Sequence, residues 1–152
     1  MSARTPSKDC WLRALAALNR REHSQRELTR KLKVSGFEDD VIAPVLEQLI
    51  ERGWLSDIRY AGAFARTRAA SGQGPRRIQV ELTRQGINAD QAEVALATCD
   101  GDWSAQARAL VIRRFGEGNL RGGPNERKAV NFLLRRGFDL SVARASLRDD
   151  VD

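Results

Sequence analysis

Three glycines, Gly36, Gly86 and Gly137, are each followed by a large apolar residue, with a leucine four positions before and another ten positions after. The apolar sets are Leu28, Leu32, Phe37, Ile42 and Leu46; Ile78, Leu82, Ile87, Ala92 and Leu96; and Ala129, Leu133, Phe138, Ala143 and Leu147. The glycines are separated by 50 and 51 residues. A period of that length marks stacked helical units, none of which can bury its apolar face alone. It predicts an all-α chain of three tandem three-helix repeat units forming an elongated, curved array, with units at 7–56, 57–101 and 102–150.

The local chemistry within a unit agrees. Apolar residues at four-residue steps before each glycine form a single helical stripe. Each glycine suits the left-handed position just beyond a helix end, which costs a glycine nothing. Two residues later, Asn88 and Asp139 are good N-caps for a following helix and Glu38 is a poorer one. Ser24 to Glu27 has the spacing of a capping box, and Pro75 and Pro124 suit the first turns of the middle helices in units two and three. Each unit opens with a further helix, near Lys8 to Arg21, Ile58 to Ala70 and Trp103 to Phe115. The segments Ser71 to Gly74 and Glu117 to Gly123 are then loops within units.

No apolar run in the 152 residues approaches the roughly 18 needed to span a membrane, and the N-terminal stretch has no signal-peptide apolar region. Cys10 and Cys99 form no close motif and read as free or buried thiols in a reducing compartment. The expectation is a cytoplasmic monomer without membrane contact, cofactor or metal.

Catalytic constellations are lacking. His23 is the single histidine and, beside Ser24 at a helix start, reads as a surface or packing residue. One histidine and two distant cysteines do not make a zinc site. Gly72-Gln73-Gly74-Pro75 lacks the Gly-Lys-Ser/Thr ending and the preceding strand of a phosphate-cradling loop. Asp39-Asp40 and Asp149-Asp150 read as helix-start and chain-end charges. The chain is not expected to be an enzyme.

Charge is more informative. The formal net charge is +6, and with four lysines among 26 basic residues the chain carries 22 arginines. Arg59 to Arg84 contains six arginines and one acid, Glu81; Arg108 to Arg136 contains eight basic residues and two acids. Up to Asp57 the balance is ten basic to nine acidic, so the excess belongs to units two and three. Counted back from the unit glycine, Arg76 matches Arg127, Arg77 matches Lys128, and Arg84 matches Arg135; unit one has Arg26, Glu27 and Val34 there. Positions seven apart share a helical face, so Arg77 with Arg84, and Lys128 with Arg135, form equivalent stripes beside the apolar ones. An Arg77 to Glu81 intrahelical pair would explain part of this, but neither packing nor capping requires the recurrence, and such a face suits an anionic partner.

A helix-turn-helix DNA reader has the same ingredients, but its second helix must enter the major groove. In unit one that helix carries Asp39, Asp40, Glu47 and Glu51, and in unit two Asp90 and Glu93 with no basic residue. Phosphate would repel both helices, which leaves backbone binding through the preceding helices.

Arg20-Arg21-Glu22-His23-Ser24 with Glu27-Leu28, Gly53-Trp54-Leu55-Ser56-Asp57 with Tyr60-Ala61, and Gly74-Pro75-Arg76-Arg77-Ile78 with Glu81-Leu82 and Gln85-Gly86-Ile87 resemble the bacterial regulatory protein RecX family. The resemblance runs over about residues 10 to 147 and is most specific from Arg20 to Ile87; Gln73 stands where family members often carry an aromatic residue. It implies a cytoplasmic modulator that binds the RecA filament on single-stranded DNA and inhibits its ATPase, strand-exchange and coprotease activities. The residues expected to carry attachment to acidic RecA surface or DNA phosphate are Arg66, Arg68, Arg76, Arg77 and Arg84 in unit two, and Arg113, Arg114, Arg127, Lys128, Arg135 and Arg136 in unit three. The alternative is a basic helical-repeat protein that binds DNA directly through the phosphate backbone; a third reading is an interaction scaffold without a nucleic-acid role.

Overall fold

Helix ends in this chain are written by short polar caps and by glycine. The computed structural model describes residues 7–99, 102–118 and 120–147, so the expected unit ends at 101 and 150, and the Asp149-Asp150 pair, lie outside the described residues. Among the described residues there are nine helices: α1 (Lys8–Arg20), α2 (Gln25–Val34), α3 (Asp39–Glu51), α4 (Asp57–Ala70), α5 (Pro75–Arg84), α6 (Ala89–Ala97), α7 (Trp103–Phe115), α8 (Glu126–Arg136) and α9 (Leu140–Ala145).

The middle helix of every unit stops in the same way. Gly36, Gly86 and Gly137 adopt φ of 100°, 82° and 101°. The amides of Phe37, Ile87 and Phe138 donate to the carbonyls of Leu32, Leu82 and Leu133 at 3.1, 3.0 and 3.1 Å, while the glycine amides close the shorter turn. This double closure satisfies terminal carbonyls that would otherwise lack donors. Asn88 and Asp139 then cap α6 and α9 by accepting from the amides of Gln91 and Val142 at 2.8 and 2.9 Å, whereas Glu38 makes no side-chain cap.

Two local expectations are corrected. Ser24 accepts from the Glu27 amide at 3.0 Å, but the Glu27 carboxylate turns to Arg21 at 2.7 Å, so only half of the capping box forms. An ion pair with a flexible guanidinium outcompetes the return bond to the backbone. Pro124 lies in the turn before α8 rather than in its first turn, because the Gly123 amide closes on the Leu120 carbonyl at 3.0 Å and helix begins only at Glu126.

Each helix packs principally on the other two helices of its own unit. The stripe residues form three separate cores. Leu28, Leu32 and Ile42 lie with Cys10 and Leu49; Ile78, Leu82, Ile87 and Ala92 with Tyr60; Ala129, Leu133, Phe138, Ala143 and Leu147 with Val111. Truncating a fully buried member such as Leu82 to alanine costs about 2–5 kcal/mol.

The two joints between units differ. Trp103 packs against the cores of both units two and three and meets Phe138 edge-on at 6.3 Å. Beside it the start of α5 receives the end of α8: the amides of Gly74 and Arg76 donate to the carbonyls of Arg136 and Gly137 at 2.7 and 3.0 Å. At the joint of units one and two, side chains perform this service. The Asp57 carboxylate accepts from the Gln25 amide at 2.8 Å, Glu22 pairs with Arg59 at 3.0 Å, and Gly86 rests against the stem of Arg26.

Candidate functional site

The basic stripe stands where the register places it. Arg76, Arg77, Arg84, Arg127, Lys128 and Arg135 are all exposed on α5 and α8, and Arg66, Arg113 and Arg114 are exposed on α4 and α7. Arg68 and Arg136 are half-buried. The immediate surroundings of these residues differ between units two and three.

The difference lies in the residue five positions before each unit glycine. In unit two it is Glu81, whose carboxylate lies 3.4 Å from Arg68 and 3.7 Å from Arg77. In unit three it is Phe132, whose ring carries the guanidinium carbons of Arg114 and Arg136 at 5.4 and 5.2 Å from its centroid. Arginines stacked on an aromatic face are oriented without losing their charge, whereas arginines beside a carboxylate are partly neutralised. Arg114, Lys128 and Arg135 line one small cleft with Asn131 and Phe132. Three cations and an amide donor without a lining carboxylate make this cleft the part of the surface best suited to an anion.

Other predicted residues have narrower settings. Arg66 and Arg113 both line a cleft between units two and three, where Arg66 donates to Thr98 Oγ1 at 3.0 Å. Arg76 lies at the joint, its amide committed to Gly137. The Asp139 carboxyl is held below the usual range mainly by the Val142 amide, then by the Ser141 hydroxyl, with a smaller contribution from Arg76. Arg77 also serves the joint, since its Cβ and backbone form the surface on which Gly137 sits.

His23 is fully buried. Its Nδ1 lies 3.0 Å from the Arg21 carbonyl and its Nε2 2.7 Å from Lys31 Nζ, an arrangement of a neutral ring donating from Nδ1 and accepting at Nε2. It is therefore a packing residue. Phe132 and the Gly74–Gly137 contact went unread in the sequence. Aligning Lys31, Glu81 and Phe132 in register was the signal for the first; the second is a meeting of backbones across 63 residues and leaves no compositional trace. Among the described residues no cluster of His, Cys, Asp or Glu could hold a metal ion, and no helix is long and apolar enough to cross a membrane.

Fold and surface together define a tandem three-helix repeat protein with basic faces on its second and third units. Residues 10–49 match the family described as RecX, first three-helix domain, and residues 56–96 match RecX, second three-helix domain. The chain is 45% identical over 140 residues to a Regulatory protein RecX of Xanthomonas oryzae, covering 92% of this chain and 86% of that one, and 43% identical to a Regulatory protein RecX of Stenotrophomonas maltophilia over the same shares. The chain belongs to the RecX family. Its fold is similar to the crystal structure of RecX from Lactobacillus salivarius, with a TM-score of 0.77 at 23% identity, covering 91% of this chain and 92% of that chain.

Proposed function

We propose that this chain binds the RecA filament on single-stranded DNA and inhibits its ATPase, strand-exchange and coprotease activities, acting as a cytoplasmic monomer through the basic faces of α5 and α8. The observation that carries this reading is the cleft of Arg114, Lys128 and Arg135, a cationic surface without a lining carboxylate in which Phe132 orients Arg114. Its equivalent on α5, Arg77 and Arg84, faces the same kind of partner with its charge tempered by Glu81. A chain of separate units joined through small contacts reaches several sites on a polymer at once, and each added contact raises the overall affinity.

The test is RecA ATPase on single-stranded DNA with the purified chain added. Reversing Arg77, Arg84, Lys128 and Arg135 to glutamate should relieve inhibition while leaving helicity and melting nearly intact, since exposed charges contribute about 0–1 kcal/mol each to folding. A charge-matched reversal in unit one, at the exposed Lys8, Arg26, Lys33 and Arg52, should have a smaller effect. Equal loss from both would reduce the face to net charge, and no inhibition by the native chain at stoichiometric ratios would end the reading. The second reading, direct phosphate binding, predicts affinity for single-stranded DNA without RecA that falls with salt at a log–log slope of about −0.7 per neutralised phosphate.

A further inference from the structure

The same register that builds the basic stripe breaks it in unit one. Two positions before the unit glycine, Arg84 and Arg135 are replaced by Val34, which is 85% exposed. Valine is a weaker helix former than arginine, and at this exposure its burial contributes nothing to the core, so neither helix stability nor packing accounts for it. Across a groove of about 1130 Å³ between α1 and α2 stands Leu12, 53% exposed. Ala16, Leu28 and Phe37 contribute to the lining between them, giving a concave surface whose lining is mostly apolar.

The rim of this groove is cationic. Arg13, Arg20 and Arg30 border it, and Lys31 joins them with its ammonium held in place by the bond to His23. Of the two acids on the rim, Glu27 is already engaged by Arg21 through both oxygens, at 2.9 and 2.7 Å, which leaves Asp9. Along α1 the lining residues run from Asp9 to Arg20, roughly 16 Å of helix at 1.5 Å per residue. That length matches a three-turn helix laid into the groove.

We infer that this groove docks an amphipathic helix of a partner protein, one whose apolar stripe is flanked by aspartate or glutamate. Leu12 and Val34 would receive the stripe, and Arg13, Arg20 and Arg30 its carboxylates. A second copy of this chain fits less well. Its most acidic helix, α3, already spends its apolar residues Ile42, Val45 and Leu49 in its own core and could not present them without unfolding. Nucleic acid would leave Leu12 and Val34 against a polyanion with nothing to cover them. The inference does not rest on the basic faces of units two and three.

The experiment uses the full chain and a fluorescein-labelled synthetic peptide of about 15 residues, with leucines at the i, i+3, i+4, i+7 spacing and glutamates on both flanks, read by anisotropy. Micromolar binding is expected, weakened at least about tenfold when lysines replace the glutamates, and at least about tenfold by Leu12→Glu with Val34→Glu in the chain. Both substituted sites are exposed, so circular dichroism should show an unchanged fold. The variant with Arg77, Arg84, Lys128 and Arg135 reversed should bind the peptide as the native chain does. Absence of binding up to about 1 mM, equal binding of the lysine peptide, or full binding by the Leu12 and Val34 variant would overturn the proposal. So would sedimentation showing a dimer of the chain alone that Val34→Glu dissociates, since a second copy would then be the occupant.

Discussion

Gly74 and Gly137 meet backbone to backbone: a methyl group on Gly74 would stand 2.5 Å from the carbonyl carbon of Gly137, closer than any real Cβ contact. On the Gly74 side the hindrance is packing, since its φ is −86°. Gly74→Ala should therefore leave the helices intact and loosen the seat of unit three on unit two, at a cost of about 1–3 kcal/mol. Small-angle scattering should record a larger radius of gyration and calorimetry a lower midpoint. Unchanged values in both would mean that the joint does not depend on this approach.

The three unit glycines share one motif but differ in their neighbours. A Cβ on Gly36 would meet nothing within 4 Å, one on Gly86 would meet Arg26 at 3.1 Å, and one on Gly137 would meet Arg77 at 2.5 Å. Alanine at Gly36 measures the left-handed strain alone, about 1–2 kcal/mol. Gly86→Ala adds a contact with a flexible stem, and Gly137→Ala adds a collision with Arg77. Thermal midpoints should fall in the order Gly36→Ala, Gly86→Ala, Gly137→Ala, and a reversed order would contradict the joint geometry.

Glu81 and Phe132 occupy equivalent places and should have opposite effects on anion binding. Glu81→Gln removes the carboxylate beside Arg68 and Arg77 and should tighten binding to single-stranded DNA, steepening the log–log salt slope by about 0.7 for every further phosphate neutralised. Phe132→Leu keeps an apolar residue but removes the ring under Arg114 and Arg136, and should weaken the same binding at constant net charge. Titrations at several salt concentrations separate these outcomes from a uniform response to charge.

Burial pushes the His23 ring below its ordinary value, with Arg21 and Lys31 adding repulsion to the protonated form and the Arg21 carbonyl and Glu27 opposing. The unfolded chain then binds the proton more readily than the folded one. The stabilisation is complete above the ordinary histidine range and is lost as pH falls through the lowered folded value. The thermal midpoint of the native chain should drop between pH 7.5 and 5.5, while His23→Gln should flatten that dependence. The Glu27–Arg21 pair titrates lower, because Glu27 is itself held below the usual carboxylate range, so a dependence confined to more acidic solution would implicate it instead.

The sequence revealed most of what lies along the helices and little of what lies between them. Leu32, Leu82 and Leu133 were legible as core because a 3.6-residue period survives in any unit that must bury one face. Gly36, Gly86 and Gly137 were legible as helix ends because few other residues adopt positive φ. The exposure of Arg77, Arg84, Lys128 and Arg135 followed from the same periodicity. The reach of Glu27 to Arg21, the delay of α8 past Pro124 and the ring of Phe132 beneath two arginines did not, since each is decided by competition among neighbours in space.

Because the hydrogen bonds across the joint between α8 and α5 run from peptide group to peptide group, exchanging the charged side chains around it leaves those bonds in place, whereas any side chain added at Gly74 or Gly137 displaces them. The joint acts as a ruler. Surfaces on either side can drift in sequence while the step between them stays constant, so long as no side chain enters at either glycine.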